Sequence, residues 1–422
     1  MPMLRRRDPE VSYDVERLIS AHAAPSNLLY DNFKPIYAYN TDRTLSEKPS
    51  RMQDSEFAED QQLFEKRQQA SGLWQLSVHD KERNQFGSAF FLSQPFTLDD
   101  QLRHILGWDG LSERDCIMFC SAMHVFRDEA QDKPRFAAEV VASSTLSLIT
   151  ESRSYKVLAR SCQPVYENVS NNMDSPRLAT ASGRHFKALP PDVTTSVDRD
   201  ADFVIGVMAC HPTWFKDGLE TKPYFFVPCA TPPTAGSDDV MVVTGYPCEP
   251  TQDHLEQVYG VTGQDMLRAL LEYRSLLLPN NLSASAGDVI AVGQAQIKHR
   301  CSTGPGMWGG PLWPLDRPCT FHGVHGRSFG SDMSANLNCA YSAHADLFVL
   351  NYARFVLPVL LKARQQDWPQ PYMLQTVANY LLAHKSLLKQ HTVDGRPLWD
   401  IAKAFFQAHS VQGSGSQAQV DG

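Results

Sequence analysis

The chain has 422 residues, 42% of them apolar and 20% charged, an ordinary globular composition that excludes a wholly disordered or fibrous protein. Its net charge is -8 and no Lys/Arg run is denser than Arg5-Arg6-Arg7, so the footprint of a nucleic-acid or anionic-membrane binder is missing. No apolar stretch reaches the ~18 residues of a membrane span, and the residues before Pro25 lack the apolar run of a secretory signal.

Residues 1–70 read as an N-terminal extension, partly disordered or helical. Lys48 to Gln69 is mostly charged or amide-bearing, with helical composition over Phe57 to Gln68 and few apolar anchors. The first seven residues are basic and acid-free, but Asp8, Glu10, Asp14 and Glu16 follow at once. A cytoplasmic location is therefore expected, with a mitochondrial one as the alternative.

From Gly72 onward short β-like runs appear, bounded by Gly, Pro, Asp and Ser. They are Leu73 to Val78, Ala89 to Leu92, Ile117 to Phe119, Ala137 to Ile149 and Tyr155 to Tyr166. A second series follows Thr231 to Pro233, with Val240 to Val243, Val289 to Ile297, Pro311 to Trp313 and Phe321 to Val324. Strands at this spacing predict a sandwich or barrel. One helix interrupts them, since Met266, Leu270, Tyr273 and Leu277 share a face over Asp265 to Leu277. From Phe348 the pattern is helical, through Met373 to Leu388 and Leu398 to His409, and residues 413–422 form a disordered Gly/Ser/Gln-rich tail.

Nine cysteines stand without paired C-x-x-C clusters, which predicts buried thiols rather than a disulfide framework or a zinc site. No metal and no cofactor is expected.

Peptide hydrolysis by a nucleophile needs a hydroxyl or thiol, a base, a carboxylate that orients the base, and N–H donors for the oxyanion. Gly87-Ser88-Ala89-Phe90-Phe91-Leu92 precedes Ser121-Ala122-Met123-His124, and Asp200-Ala201-Asp202 precedes the apolar run Phe203 to Val207. Then come Gly304-Pro305-Gly306-Met307-Trp308-Gly309-Gly310-Pro311-Leu312 and His322-Gly323-Val324-His325-Gly326. In this order these segments resemble the chymotrypsin-fold serine proteases, and the resemblance extends over roughly residues 72 to 358. Val243-Thr244-Gly245-Tyr246-Pro247 is similar to the glutamyl-endopeptidase branch.

The resemblance implies a mainly β protein, a double six-stranded β-barrel with an N-terminal extension and a C-terminal helical addition. The barrels would occupy residues 71–230 and 231–358, and the helices 359–412. It implies His124 as base, Asp202 as orienting carboxylate with Asp200 as fallback, Gly306 and Gly309 on the oxyanion loop, and Thr303 and His325 in the specificity pocket. An acidic or amide side chain is what that pocket would read.

The nucleophile's position holds Trp308. An indole N–H donates but cannot attack a carbonyl, so the acyl-enzyme route closes whatever the base and carboxylate do. Removing a triad serine costs on the order of a millionfold in kcat. Ser302, Thr303 and Cys301 lie before the loop, away from its strained tip. The implied function is therefore that of a serine-protease-like pseudoenzyme acting through protein or peptide partners as scaffold, complex subunit or regulator. The alternatives are an active endopeptidase with a nucleophile elsewhere, and an unrelated β-sandwich.

Overall fold

A computed structural model of the chain describes residues 37–39, 45–47, 73–79, 84–106, 115–122, 145–149, 154–158, 162–167, 203–209, 225–249, 283–328, 338–363, 368–393 and 395–409, with a few positions between 252 and 270. None of the helices among them is long and apolar enough to cross a membrane.

Two short strands come first, β1 (Tyr37–Tyr39) and β2 (Leu45–Glu47). Then follow β3 (Leu73–His79), β4 (Asn84–Phe91), β5 (Phe96–Thr97) and β6 (Asp115–Ser121). They are succeeded by β7 (Thr145–Ile149), β8 (Ser154–Leu158), β9 (Cys162–Glu167) and β10 (Val204–Ala209). Strands β3 to β10 form one sheet in the order β8-β7-β3-β4-β6-β10-β9, with β5 paired to β6. The apolar runs anticipate β3, β6 and β7 and the second half of β4, whereas the single run expected over Tyr155 to Tyr166 is the two strands β8 and β9.

The second series consists of β11 (Val227–Pro228), β12 (Met241–Gly245), β13 (Ser283–Gly287), β14 (Val289–Val292) and β15 (Gln296–His299). It continues with β16 (Pro311–Pro314), β17 (Thr320–Phe321), β18 (Gly323–Ser328) and β19 (Asn338–Ser342). A nine-stranded sheet runs β14-β15-β19-β18-β16-β12-β13-β1-β2, while β11 and β17 pair in parallel. Strands β12 and β16 are buried along their whole length, which explains their continuous apolar runs. The single run expected over Val289 to Ile297 is a hairpin instead. Gly293 turns the chain, its amide donating to the Gln296 carbonyl over 2.7 Å.

Tyr37 pairs with Ala284 and Ala38 with Glu47, so the segment before residue 70 supplies two strands to this sheet, β2 at its edge. Three-residue strands carry no readable alternation, and β13, Ser-Ala-Ser-Ala-Gly, has no β-branched residue. The expected helix after Gly263 is described at 265–267 and 270; Met266 faces the core, Leu270 packs against it and Leu267 is exposed.

Helix α1 (Asp100–Leu106) is started by Asp99, whose carboxylate accepts the Leu102 amide at 2.9 Å. Toward the C-terminus, α2 (Asp346–Asn351) runs through a π-helical turn, Tyr352–Val356, into α3 (Leu357–Leu360). Pro358 has no N–H to donate into the preceding turn, and the wider turn accommodates it. Helices α4 (Tyr372–Ala383) and α5 (Lys385–Gln390) break at His384. A small hairpin, β20 (Thr392–Val393) with β21 (Arg396–Pro397), leads to α6 (Leu398–Ala408).

Among the described residues, helices and both sheets share the larger of two apolar clusters, and the smaller lies on the second sheet. Phe348 of α2 lies 5.1 Å from Phe203 and 5.8 Å from Phe321, and Tyr352 of the π-turn lies 5.8 Å from Tyr380 of α4. Phe203 stacks on Tyr341 of β19 at 4.9 Å, so the residue leading into β10 of the first sheet is packed against the second.

Candidate functional site

The segment 304–310 forms two linked turns, with the Met307 amide donating to Gly304 O and the Gly310 amide to Met307 O, both at 3.1 Å. Gly306 and Gly309 have φ of 89° and 87°, a region that favours glycine. Space demands glycine too. A Cβ on Gly309 would lie 2.2 Å from Ser88 O, 2.4 Å from Ser121 Oγ and 2.6 Å from Ala122 N. The loop therefore rests directly on the middle of β4 and the end of β6.

Ser88 holds that contact together, a role that sequence reasoning gave only to a motif and not to a side chain. Its amide donates to the Trp308 carbonyl at 2.7 Å, and its hydroxyl donates to Gly306 O at 2.8 Å while accepting the Tyr246 amide at 2.9 Å. Ser121 Oγ in turn donates to Ser88 O at 2.8 Å. Both hydroxyls are fully buried. On the other side, the Gly309 amide donates to His325 O at 2.7 Å and the His325 amide to Gly310 O at 2.8 Å. The Gly309 N–H is thus engaged within the protein.

Trp308 is half-buried, its indole packed against the main apolar core. Thr303 is half-buried at the start of the loop, and His325 is fully buried in β18. Behind His325 stands His299 of β15, with ring centroids 5.5 Å apart. Burial, then the neighbouring His325, drives the His299 imidazole well below its ordinary pKa, so it is neutral. Nothing in the strand pattern singled out His299 in advance.

His124 and Asp202 lie outside the described residues. Their flanks do not: Ser121, three residues before His124, is the Cα partner of Val204, two residues after Asp202. The chain leaves the first sheet at Ser121 and enters it at Val204 on one edge, the edge on which the Gly309 turn sits.

Two thiols border the loop among the described residues. Cys248, whose Sγ is 3.1 Å from the Cβ position of Gly306, has its pKa pushed up to about 12 by burial. Cys301 is buried, with Sγ directed to Met241 O at 3.5 Å. Among the described residues no group of three or more His, Cys, Asp or Glu could hold a metal ion.

No family model matches the chain, and no curated protein matches it. Among solved structures it is similar to the Rv3671c protease from M. tuberculosis in its active form, at 13% identity and TM-score 0.33, covering 71% of this chain and 89% of that one. The inactive form gives 12% identity and TM-score 0.33 over 71% and 95%. Tobacco vein mottling virus protease gives 9% identity and TM-score 0.31 over 65% and 77%.

Proposed function

We propose that the chain is a serine-protease-like pseudoenzyme that works by binding protein or peptide partners, with Trp308 standing where the attacking hydroxyl would be. The carrying observation is the seating of Trp308. It sits at the tip of a loop whose two positive-φ glycines, clamp to Ser88 and contact with Ala122 suit a nucleophile turn, yet it bears an indole. The neighbouring hydroxyls of Ser88 and Ser121 are buried and donate to backbone carbonyls, which leaves them no part in attack.

In this reading the two large sheets correspond to a double barrel over residues 71–230 and 231–358, joined by an extension at 1–70 and helices at 359–412. His124 and Asp202 occupy the base and carboxylate positions, Gly306 and Gly309 the oxyanion loop, and Thr303 with His325 the pocket. Support comes from the register of Ser121 with Val204 and from the backbone ladder between Gly309-Gly310 and His325.

Peptides ending in Glu, Gln, Leu and Lys test the reading by calorimetric titration alongside a hydrolysis assay. Preference for Glu and Gln without cleavage is expected. Equal affinity for all four removes the pocket, and cleavage removes the pseudoenzyme.

A further inference from the structure

Three imidazoles meet where the C-terminal helices rest on the second sheet. His322 joins β17 to β18, His344 lies between β19 and α2, and His384 separates α4 from α5. Nδ1 of His344 and Nε2 of His384 are 3.2 Å apart, and the rings of His322 and His344 are centred 6.5 Å apart. Tyr380 of α4 donates its hydroxyl to Ala343 O, with its ring 5.4 Å from His344 and 4.8 Å from His384. The Ala343 amide donates to His322 O at 2.8 Å, so sheet and helix are tied at one point.

The His344–His384 contact requires a neutral imidazole, because one nitrogen must accept what the other donates. Protonation of both rings sets two donors and two charges face to face. Among the described residues, four groups and one backbone segment bear on the junction. Arg317 bears on His322, disfavouring its charge, while Asp346 favours charge on His384. Tyr352 lies behind Tyr380, the backbone of Thr231 faces His322 and His344, and Lys385 is turned onto the Trp399 ring at 5.5 Å.

We propose that this junction is an acid-sensitive latch whose protonation opens the helices α4 to α6 away from the second sheet while the sheets stay folded. Burial is the largest cause holding all three imidazoles below their ordinary range, with His322 and His344 at about 3. Released into water they return near 6.5, so the open form binds more protons between those limits. Closure is therefore fully favoured above about 6.5. Below that, opening gains about tenfold per pH unit for each imidazole that regains water.

Hydrogen exchange of the full chain at pH 7.5 and 5.0, corrected for intrinsic rates, reads the latch directly. Exchange over residues 372–408 is expected to quicken at least ~10-fold more at the lower pH than exchange in β12 and β16, which follow only the acid slope of the whole fold. The double variant His344→Gln, His384→Gln is expected to lose most of that response. No change in the wild-type helices, equal loss of protection in helices and strands, or a variant with the full response overturns the proposal. Should the variant not fold, the wild-type comparison of helices with strands decides alone.

Discussion

The Ser88 amide and the Trp308 carbonyl are joined by a 2.7 Å hydrogen bond that ties β4 of the first sheet to the loop of the second. The same residue's hydroxyl satisfies Gly306 O and the Tyr246 amide in a fully buried setting. Ser88→Ala leaves both backbone groups without that partner, at a cost of about 2–4 kcal/mol. Urea unfolding of the variant beside the wild type measures it.

Gly309 and Gly263 both have positive φ, 87° and 62°, but differ in surroundings. A Cβ at Gly263 meets nothing within 4 Å, whereas at Gly309 it meets Ser88 O at 2.2 Å. Gly263→Ala is expected to cost about 1 kcal/mol, the backbone penalty alone. Gly309→Ala must also push two strands from the loop, and a loss of more than ~3 kcal/mol or failure to fold is expected in thermal or urea melts.

Among the described residues neither ring nitrogen of the fully buried His299 has a hydrogen-bond partner, and burial depresses its pKa. A base that is harder to protonate when folded stabilises the fold above its unfolded pKa near 6.5 and withdraws that stability as pH falls. His299→Phe should therefore remove about 1.4 kcal/mol per pH unit from the acid slope of stability below pH 6.5. Urea midpoints between pH 7.5 and 5 give the slope.

Phe348 touches Phe203 ahead of β10, Phe321 of β17 and Tyr352 in the π-turn. Phe348→Ala is expected to cost about 3–5 kcal/mol. Because the ring serves helix and sheets at once, far-ultraviolet and near-ultraviolet circular dichroism should report one shared, lowered transition.

Long apolar runs made most of this architecture legible. β3, β6, β12 and β16, and the helices α4 and α6, follow from periodicity and turn residues in the chain itself. Strands built from Ser and Ala, as in β13, or three residues long, as in β1, carry no such signal, because their pairing is fixed by neighbours remote in sequence. The loop at Gly306 and Gly309 was legible from its glycines, whereas the clamping role of Ser88 depends on partners 158 and 218 residues away. The interruption of the expected Met373 to Leu388 helix at His384 has no breaker residue to announce it and coincides with the contact to His344.

Treatment of the folded wild-type chain with a fluorophosphonate probe, followed by intact mass and peptide mapping, is the most direct measurement. With Trp308 in the nucleophile's position and the hydroxyls of Ser88 and Ser121 committed to backbone carbonyls, no rapid adduct is expected at any serine. A stoichiometric adduct on a serine, formed by the native chain and lost on unfolding, would contradict it.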